Sequence, residues 1–360
     1  MSVRFTLFTG IFAVMALSNA IVPVLPGYAP DSTWQGAIYS SYFLGAFVTT
    51  LPAGILSERY GRVPVIRVGL LLTMISGLLL FVIVTPVPVV ILRCLEGAGA
   101  GFFVAAALAQ VNSGPDHARM SGIFMAMLNG GLVTGLIASG WLAVYYAQPA
   151  WGILIFSGLA SIAAVASIFI SSPRYTPPSD NKRVFLPLLK KHRWLWYSSV
   201  VLIGITGVVT SLYPKFSGES PYILGAWIAG MSIATIMSVL VTSQASFSPV
   251  TAIRWSAVLM IGGVMISFVT PLGFVILGTL AGVVMIAQMA FLAEAKDHQG
   301  VAMGLFTTAS YCGMTVLPIL VGVIADRAGF FSAFCVTAIL AGSVAITIGW
   351  CECRSPAPVQ

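Results

Sequence analysis

Apolar runs of membrane-crossing length, separated by short turns, fill almost all of this 360-residue chain. An apolar helix needs about 20 residues to cross the hydrocarbon core of a bilayer. On that measure the runs predict twelve helices, at residues 4–25, 34–56, 64–84, 87–109, 118–143, 150–171, 194–214, 221–243, 252–270, 273–293, 299–324 and 329–350. Pro64, Pro86, Pro88, Pro221 and Pro271 fall near starts, where a missing amide has no intrahelical partner to lose. The one long polar stretch, 172–193, carries four prolines and the basic cluster Lys190-Lys191-His192-Arg193, and it divides the helices six and six. The predicted organisation is an N-terminal six-helix half (1–171), a cytoplasmic linker (172–193) and a C-terminal six-helix half (194–360).

A faint internal repeat supports that division. Asp116-His117 followed by Gly122-Ile123-Phe124 returns as Asp297-His298 followed by Gly304-Leu305-Phe306, and Leu92 and Gly97 return as Leu277 and Gly282. Duplicated halves are how many transporters are built.

Composition excludes a soluble domain. Charged residues make up 8% of the chain and hydrophobic ones 58%, whereas about 25% charge is usual in soluble domains. The net charge of +7 lies mostly in loops on one side, so it reports orientation and makes no case for nucleic acid. With the N-terminus inside, fourteen basic residues from Arg4 to Arg354 fall in cytoplasmic segments, against Lys215 and Arg327 outside. The positive-inside rule then puts both termini in the cytoplasm of a multi-pass cell-membrane protein. Ser18-Asn19-Ala20 mimics a signal-cleavage site, but apolar character runs on to Pro26, so a retained first helix is expected.

Cys94, Cys312, Cys335, Cys351 and Cys353 have no metal-ligand companions and read as packing residues or free thiols. Cys351-Glu352-Cys353 at the last helix end reads as a reduced cytoplasmic tail, with lipidation the alternative. No Walker loop, zinc-ligand spacing or Gly-x-Ser-x-Gly elbow occurs, so no enzyme activity, metal or cofactor is expected. Gly97-x-Gly99-x-Gly101 lies inside a membrane run and fails the strand-turn-helix test for a dinucleotide site.

Two stretches carry chemistry. Gly54 to Arg67, GILSERYGRVPVIR, gathers Glu58, Arg59, Arg62 and Arg67 around Gly54 and Gly61. Gly54 lets another helix approach closely and Gly61 permits a reversal with positive φ. The alternative is a solvated basic loop that fixes topology alone. The second stretch is Arg93-Cys94-Leu95-Glu96-Gly97-Ala98-Gly99 in the fourth run. Arg93 and Glu96 are the charges placed deep in the membrane, where a lone Arg or Asp costs about 2.5–3.5 kcal/mol and so faces a cavity or a partner. Three residues apart, they share a helix face and can meet.

The order Gly-x3-acid-Arg-x-Gly-Arg resembles the loop signature between helices two and three of the major facilitator superfamily, with Glu58 where that family usually has Asp. Arg93 followed by Gly97-x-Gly99 resembles its helix-four motif, and Pro23-Val24-Leu25-Pro26 resembles the first helix of drug-exporter-like members. The resemblance implies an all-α membrane fold of twelve helices in two pseudo-symmetric halves. It also implies a secondary transporter that moves a small-molecule substrate by alternating access, driven by an ion gradient or by the solute's own gradient, with efflux of apolar or amphipathic compounds as one form. The Arg93–Glu96 pair makes the proton the expected coupling ion.

Uptake of a small neutral or anionic solute is the alternative, and a non-transporting receptor or scaffold is the competing class. The implied gating motif is Gly54, Glu58, Arg59, Gly61, Arg62 and Asp116, with the start of helix eleven near Val301 as a further partner. The implied coupling and cavity set is Arg93, Glu96, Gly97, Asn19 and Gln288, on helices one, four and ten. Arg93 and Glu96 form either a proton site or a static clamp. Gly122, Gly130, Gly131, Gly135 and Gly140 of helix five resemble the antiporter motif without its Gly-Pro pair, or serve close packing. A monomer is expected.

Overall fold

The computed structural model describes residues 3–112, 117–148, 150–170, 189–245, 247–293 and 299–350. Among these no strand occurs, and eleven helices are long and apolar enough to cross a membrane. They are α1 (Val3–Ala20), α2 (Ser32–Tyr60), α3 (Arg62–Val82), α4 (Pro86–Asn112), α5 (His117–Tyr145), α6 (Trp151–Ile168), α7 (Arg193–Ser217), α8 (Pro221–Thr242), α9 (Pro249–Val269), α10 (Leu272–Ala293) and Gln299–Thr347. The last is 49 residues long and breaks at Gly329, where φ is 83° and ψ 163°. It is therefore two crossings, α11 over 299–328 and α12 over 330–347, and the chain crosses twelve times.

Two boundaries differ from expectation. The first helix stops at Ala20, and Val22–Gly27 continues as a 3₁₀ turn, because Pro23 and Pro26 cannot donate the amide bonds an α-helix needs. Tyr28, just beyond it, donates its hydroxyl to the Leu80 carbonyl of α3 at 3.2 Å. At the other end of the bundle, α2 runs on to Tyr60. Glu58 and Arg59 thus stand in the last turn of a helix rather than in a loop, and Gly61 alone separates α2 from α3.

Glycines set the helix spacing, as small residues do where lipid supplies no hydrophobic drive between helices. Gly45 lies against the Cys94 carbonyl and Gly97 against the Tyr42 carbonyl, joining α2 to α4, while Gly131 lies on Phe12 and Gly135 on Ala16, joining α5 to α1. The second half repeats the plan, with Gly278 on Met231 (α10 on α8) and Gly313 on Val200 (α11 on α7). By contact, Gly278 plays the part of Gly97, one helical turn from the Gly282 that the repeat pairs with it.

The halves approach each other closely at the bundle end where α2 and α8 begin. Gly36 and Gly322 put α2 against α11 at Pro318 and Ser32, and Gly225 and Gly140 put α8 against α5 at Leu136 and Pro221. These two seams are symmetric copies of one another. Toward the opposite end, no atom of the described residues beyond its own helix turn lies within 4 Å of where a Gly54 Cβ would sit. Among the described residues the close approach expected at Gly54 is not seen, and the described contacts between the halves lie at the other end of α2.

Candidate functional site

Between the halves lies a cavity of about 360 Å³. That is near the lower end of small-molecule pockets, about 300–1,000 Å³. Asn19 lines it from α1, Tyr39, Tyr42 and Phe43 from α2, Arg93 from α4, Asn129 from α5, and Tyr311 from α11. Met15, Met231, Met285 and Met314 form much of the remaining wall, with Thr206, Thr210, Ser232 and Thr235 between them. Helices α2, α5, α8 and α11 thus contribute alongside α1, α4, α7 and α10. The aromatic residues touch one another: Phe43 stands 5.1 Å from Tyr39, 5.2 Å from Tyr42 and 6.1 Å from Tyr311, centroid to centroid. Tyr39, Tyr42 and Phe43 fall within four residues of one another and so share about one turn of α2.

Arg93 is the charged residue among those lining the cavity, and it is 1% exposed. Its Nη1 donates to Glu96 Oε2 at 2.7 Å and its Nη2 to the Ser18 carbonyl at 3.0 Å. Its guanidinium lies 4.7 Å from the centre of the Tyr42 ring, a contact in which the ring face attracts the cation. One arginine therefore ties α4 to α1 and α2. Glu96 is 0% exposed and is not among the residues lining the cavity. Arg93 Nε and Glu96 Oε1 have no hydrogen-bond partner among the described residues. Such a pair gains its Coulomb attraction against a heavy desolvation cost, so it is a site where a change of protonation or partner has a large effect.

Asn19 donates to the Leu132 carbonyl at 3.2 Å. Gln288 is fully buried and donates to Ser198 Oγ at 2.9 Å, so it joins α10 to α7 away from the cavity lining. Gly97 is not a wall residue either, since it holds α4 on the α2 backbone. Tyr42, Asn129 and Tyr311 were not assigned to the cavity from the sequence, although as polar residues within apolar runs they carried a signal that could have found them. The lining threonines and serines gave no such signal, since their hydroxyls commonly return to their own helix, as Thr206 does to the Ile203 carbonyl at 2.7 Å.

At the Gly61 turn, φ is 92°, a value that side-chain-bearing residues rarely adopt. Arg59 lies 5.4 Å from the centre of the neighbouring Tyr60 ring. Asp116 and the side chains of Glu58 and Val301 lie outside the described residues. Arg67, which no role had been given, donates from Nε to the Ser167 carbonyl at 3.0 Å and from Nη2 to those of Ile168 and Ile170 at 3.0 and 2.8 Å. It caps the C-terminus of α6, where orphan carbonyls and the negative end of the helix dipole favour a cation.

Residues 7–314 match the family model of the Major Facilitator Superfamily. The chain belongs to this superfamily. It is therefore a multi-pass membrane transporter of a small-molecule substrate and not an enzyme. Quinolone resistance protein NorA of Staphylococcus aureus (strain MRSA252) is 24% identical over 352 residues, with 89% of each chain covered. Among solved structures, the nucleoside transporter NupG superposes with a TM-score of 0.75 at 13% identity, covering 99% of this chain and all of that one. A bacterial homologue of the human lysosomal transporter Spinster, in an inward-facing and occupied conformation, superposes with a TM-score of 0.77 at 13% identity, covering 98% of this chain and 97% of that one. These superpositions place the major facilitator fold over essentially the whole chain.

Proposed function

We propose that this superfamily member is a proton-coupled efflux permease for uncharged aromatic or amphipathic compounds, working as a monomer in the cell membrane. The observation that carries the reading is the cavity wall, where aromatic and methionine side chains surround one arginine whose charge Glu96 already balances. Such a wall gives dispersion and ring contacts to an apolar molecule, while Asn19, Asn129 and the hydroxyls offer hydrogen bonds for orientation. The NorA relative, named for drug resistance, supports export. With the Gly61 turn on the basic, cytoplasmic side, Glu58, Arg59, Arg62 and Asp116 act as a latch at that end.

Arg93 and Glu96 supply the coupling. While Glu96 is ionised, the Arg93 guanidinium is held to it. A proton on Glu96 removes the charge that balances Arg93, which disfavours an uncharged compound beside it in the cavity, so proton and substrate binding oppose one another through one ion pair. Arg93 also favours the second reading, uptake of a small anionic solute.

The test is Glu96→Gln in proteoliposomes, since Glu96→Ala leaves Arg93 buried and uncompensated at about 3–5 kcal/mol and so conflates misfolding with loss of coupling. Glu96→Gln keeps an acceptor for Arg93 and removes the titration. It is expected to retain substrate exchange and to lose accumulation driven by a pH gradient. Full pH-driven transport by this variant would remove Glu96 from the coupling role. The sign of the flux under an imposed gradient separates export from uptake.

A further inference from the structure

The two symmetric seams between the halves differ at one point. On the α2–α11 seam, four residues beyond Gly322, Asp326 reaches across to the first turn of α2. Its Oδ1 accepts from the Ser32 amide at 3.0 Å, and its Oδ2 accepts from the Thr33 amide at 2.7 Å and from Thr33 Oγ1 at 2.5 Å. Lys215 of α7 donates to Oδ1 at 3.1 Å. On the α5–α8 seam, the residue four beyond Gly140 is Val144, and the position matching Ser32 is Pro221, which has no amide to give. The carboxylate and one of its donors are therefore both missing from the second seam.

We propose that Asp326 is a one-sided latch of the transport cycle, closing the α2–α11 seam at the Asp31 end by capping the first amides of α2 from the opposite half. The physics favours the amides over the lysine as the holding contacts. Ser32 and Thr33 carry two of the orphan donors at a helix start, where the dipole is positive and an anion is stabilised. Bonds donated to an ionised acceptor are also stronger than neutral ones. Asp31 already caps this helix from its own side by accepting from the Trp34 amide at 2.8 Å, so Asp326 takes the donors that Asp31 leaves. Lys215 belongs to the same half as Asp326 and moves with it. Its bond is 31% exposed on the lysine side and 23% on the aspartate side, the kind of pair that contributes little. When the halves rock apart here, Asp326 gives up Ser32 and Thr33 and keeps Lys215, which leaves the carboxylate charged and ready to reclose. The α5–α8 seam has no such tie, so in a rigid rocking of the halves both seams open only when Asp326 lets go.

Hydrogen exchange read by mass spectrometry on the full-length protein in nanodiscs tests this, because it needs no knowledge of the substrate. Asp326→Ala is expected to speed exchange roughly tenfold at residues 32–36. It should do the same at 222–226 on the other seam, which Asp326 does not touch. Acceleration confined to 32–36 would make Asp326 a local cap and overturn the latch. Lys215→Ala is expected to leave 222–226 at the wild-type rate, and opening equal to that of Asp326→Ala would overturn the assignment to the amides. Thr33→Val removes one donor and keeps the branched side chain, so it serves should Asp326→Ala fail to fold. It is expected to speed exchange on both seams by a smaller factor, and wild-type exchange at 222–226 in this variant would overturn the latch by itself.

Discussion

Replacing Gly97 by alanine measures how firmly the α2–α4 contact sets the geometry around Arg93. A Cβ there would overlap the Tyr42 carbonyl oxygen and lie 2.6 Å from its carbon and 2.9 Å from the Tyr42 Cα. Carbon atoms pack at about 3.5–4.0 Å, so the two helices must part by about 1 Å. The obstacle is backbone, which cannot rotate aside as a side chain can. Overpacking of this kind costs about 1–3 kcal/mol, while alanine in a helix interior gains about 0.5–1 kcal/mol over glycine. The central expectation is a net loss of about 1 kcal/mol, read as a lower thermal midpoint in detergent.

Gly54→Ala is the matched control on α2. With no atom of the described residues within 4 Å of the new methyl, the helix-propensity gain is unopposed and the midpoint should rise. The two substitutions are chemically identical and are expected to move stability in opposite directions. A Gly97→Ala midpoint equal to or above wild type would refute the argument that backbone contact at Gly97 fixes the spacing. Gly54→Ala carries a second readout. If α2 packs closely at Gly54 once the Gly61 end closes, the stabilised variant should turn over more slowly, and unchanged turnover would leave Gly54 with no part in gating.

Arg67→Ala removes three hydrogen bonds to the end of α6 and is expected to cost about 1–3 kcal/mol. Arg67→Lys should recover part of the lost midpoint, and an unchanged midpoint in Arg67→Ala would show that water replaces the cap. In a background without native cysteines, Lys182→Cys is expected to react with membrane-impermeant maleimide from the cytoplasmic side and Glu219→Cys from the outside. Labelling of both from one side would overturn the proposed orientation.

The twelve crossings were legible in the sequence because each needs about 20 apolar residues, a signal that survives without knowledge of packing. The merged helix Gln299–Thr347 was readable as two for the same reason, since 49 residues are far more than one crossing uses. The closeness of Arg93 and Glu96 was legible too, because a three-residue spacing places both on one face of any α-helix. Which of them meets the cavity was not, since that depends on how α1 and α2 pack over α4. The same limit applies to Gln288 and Asn19, both polar residues in apolar runs: one is sealed between α10 and α7, and the other reaches the cavity. Arg67 stood in plain view in the basic stretch, but its carbonyl partners lie about a hundred residues away along the chain. Asp326 and Ser32 are separated by nearly 300 residues. The sequence by itself determined the local terms, namely hydropathy, helix stops and same-face spacing. Tertiary packing alone decided which distant backbone groups come within hydrogen-bond reach, because that follows from how twelve helices pack against one another.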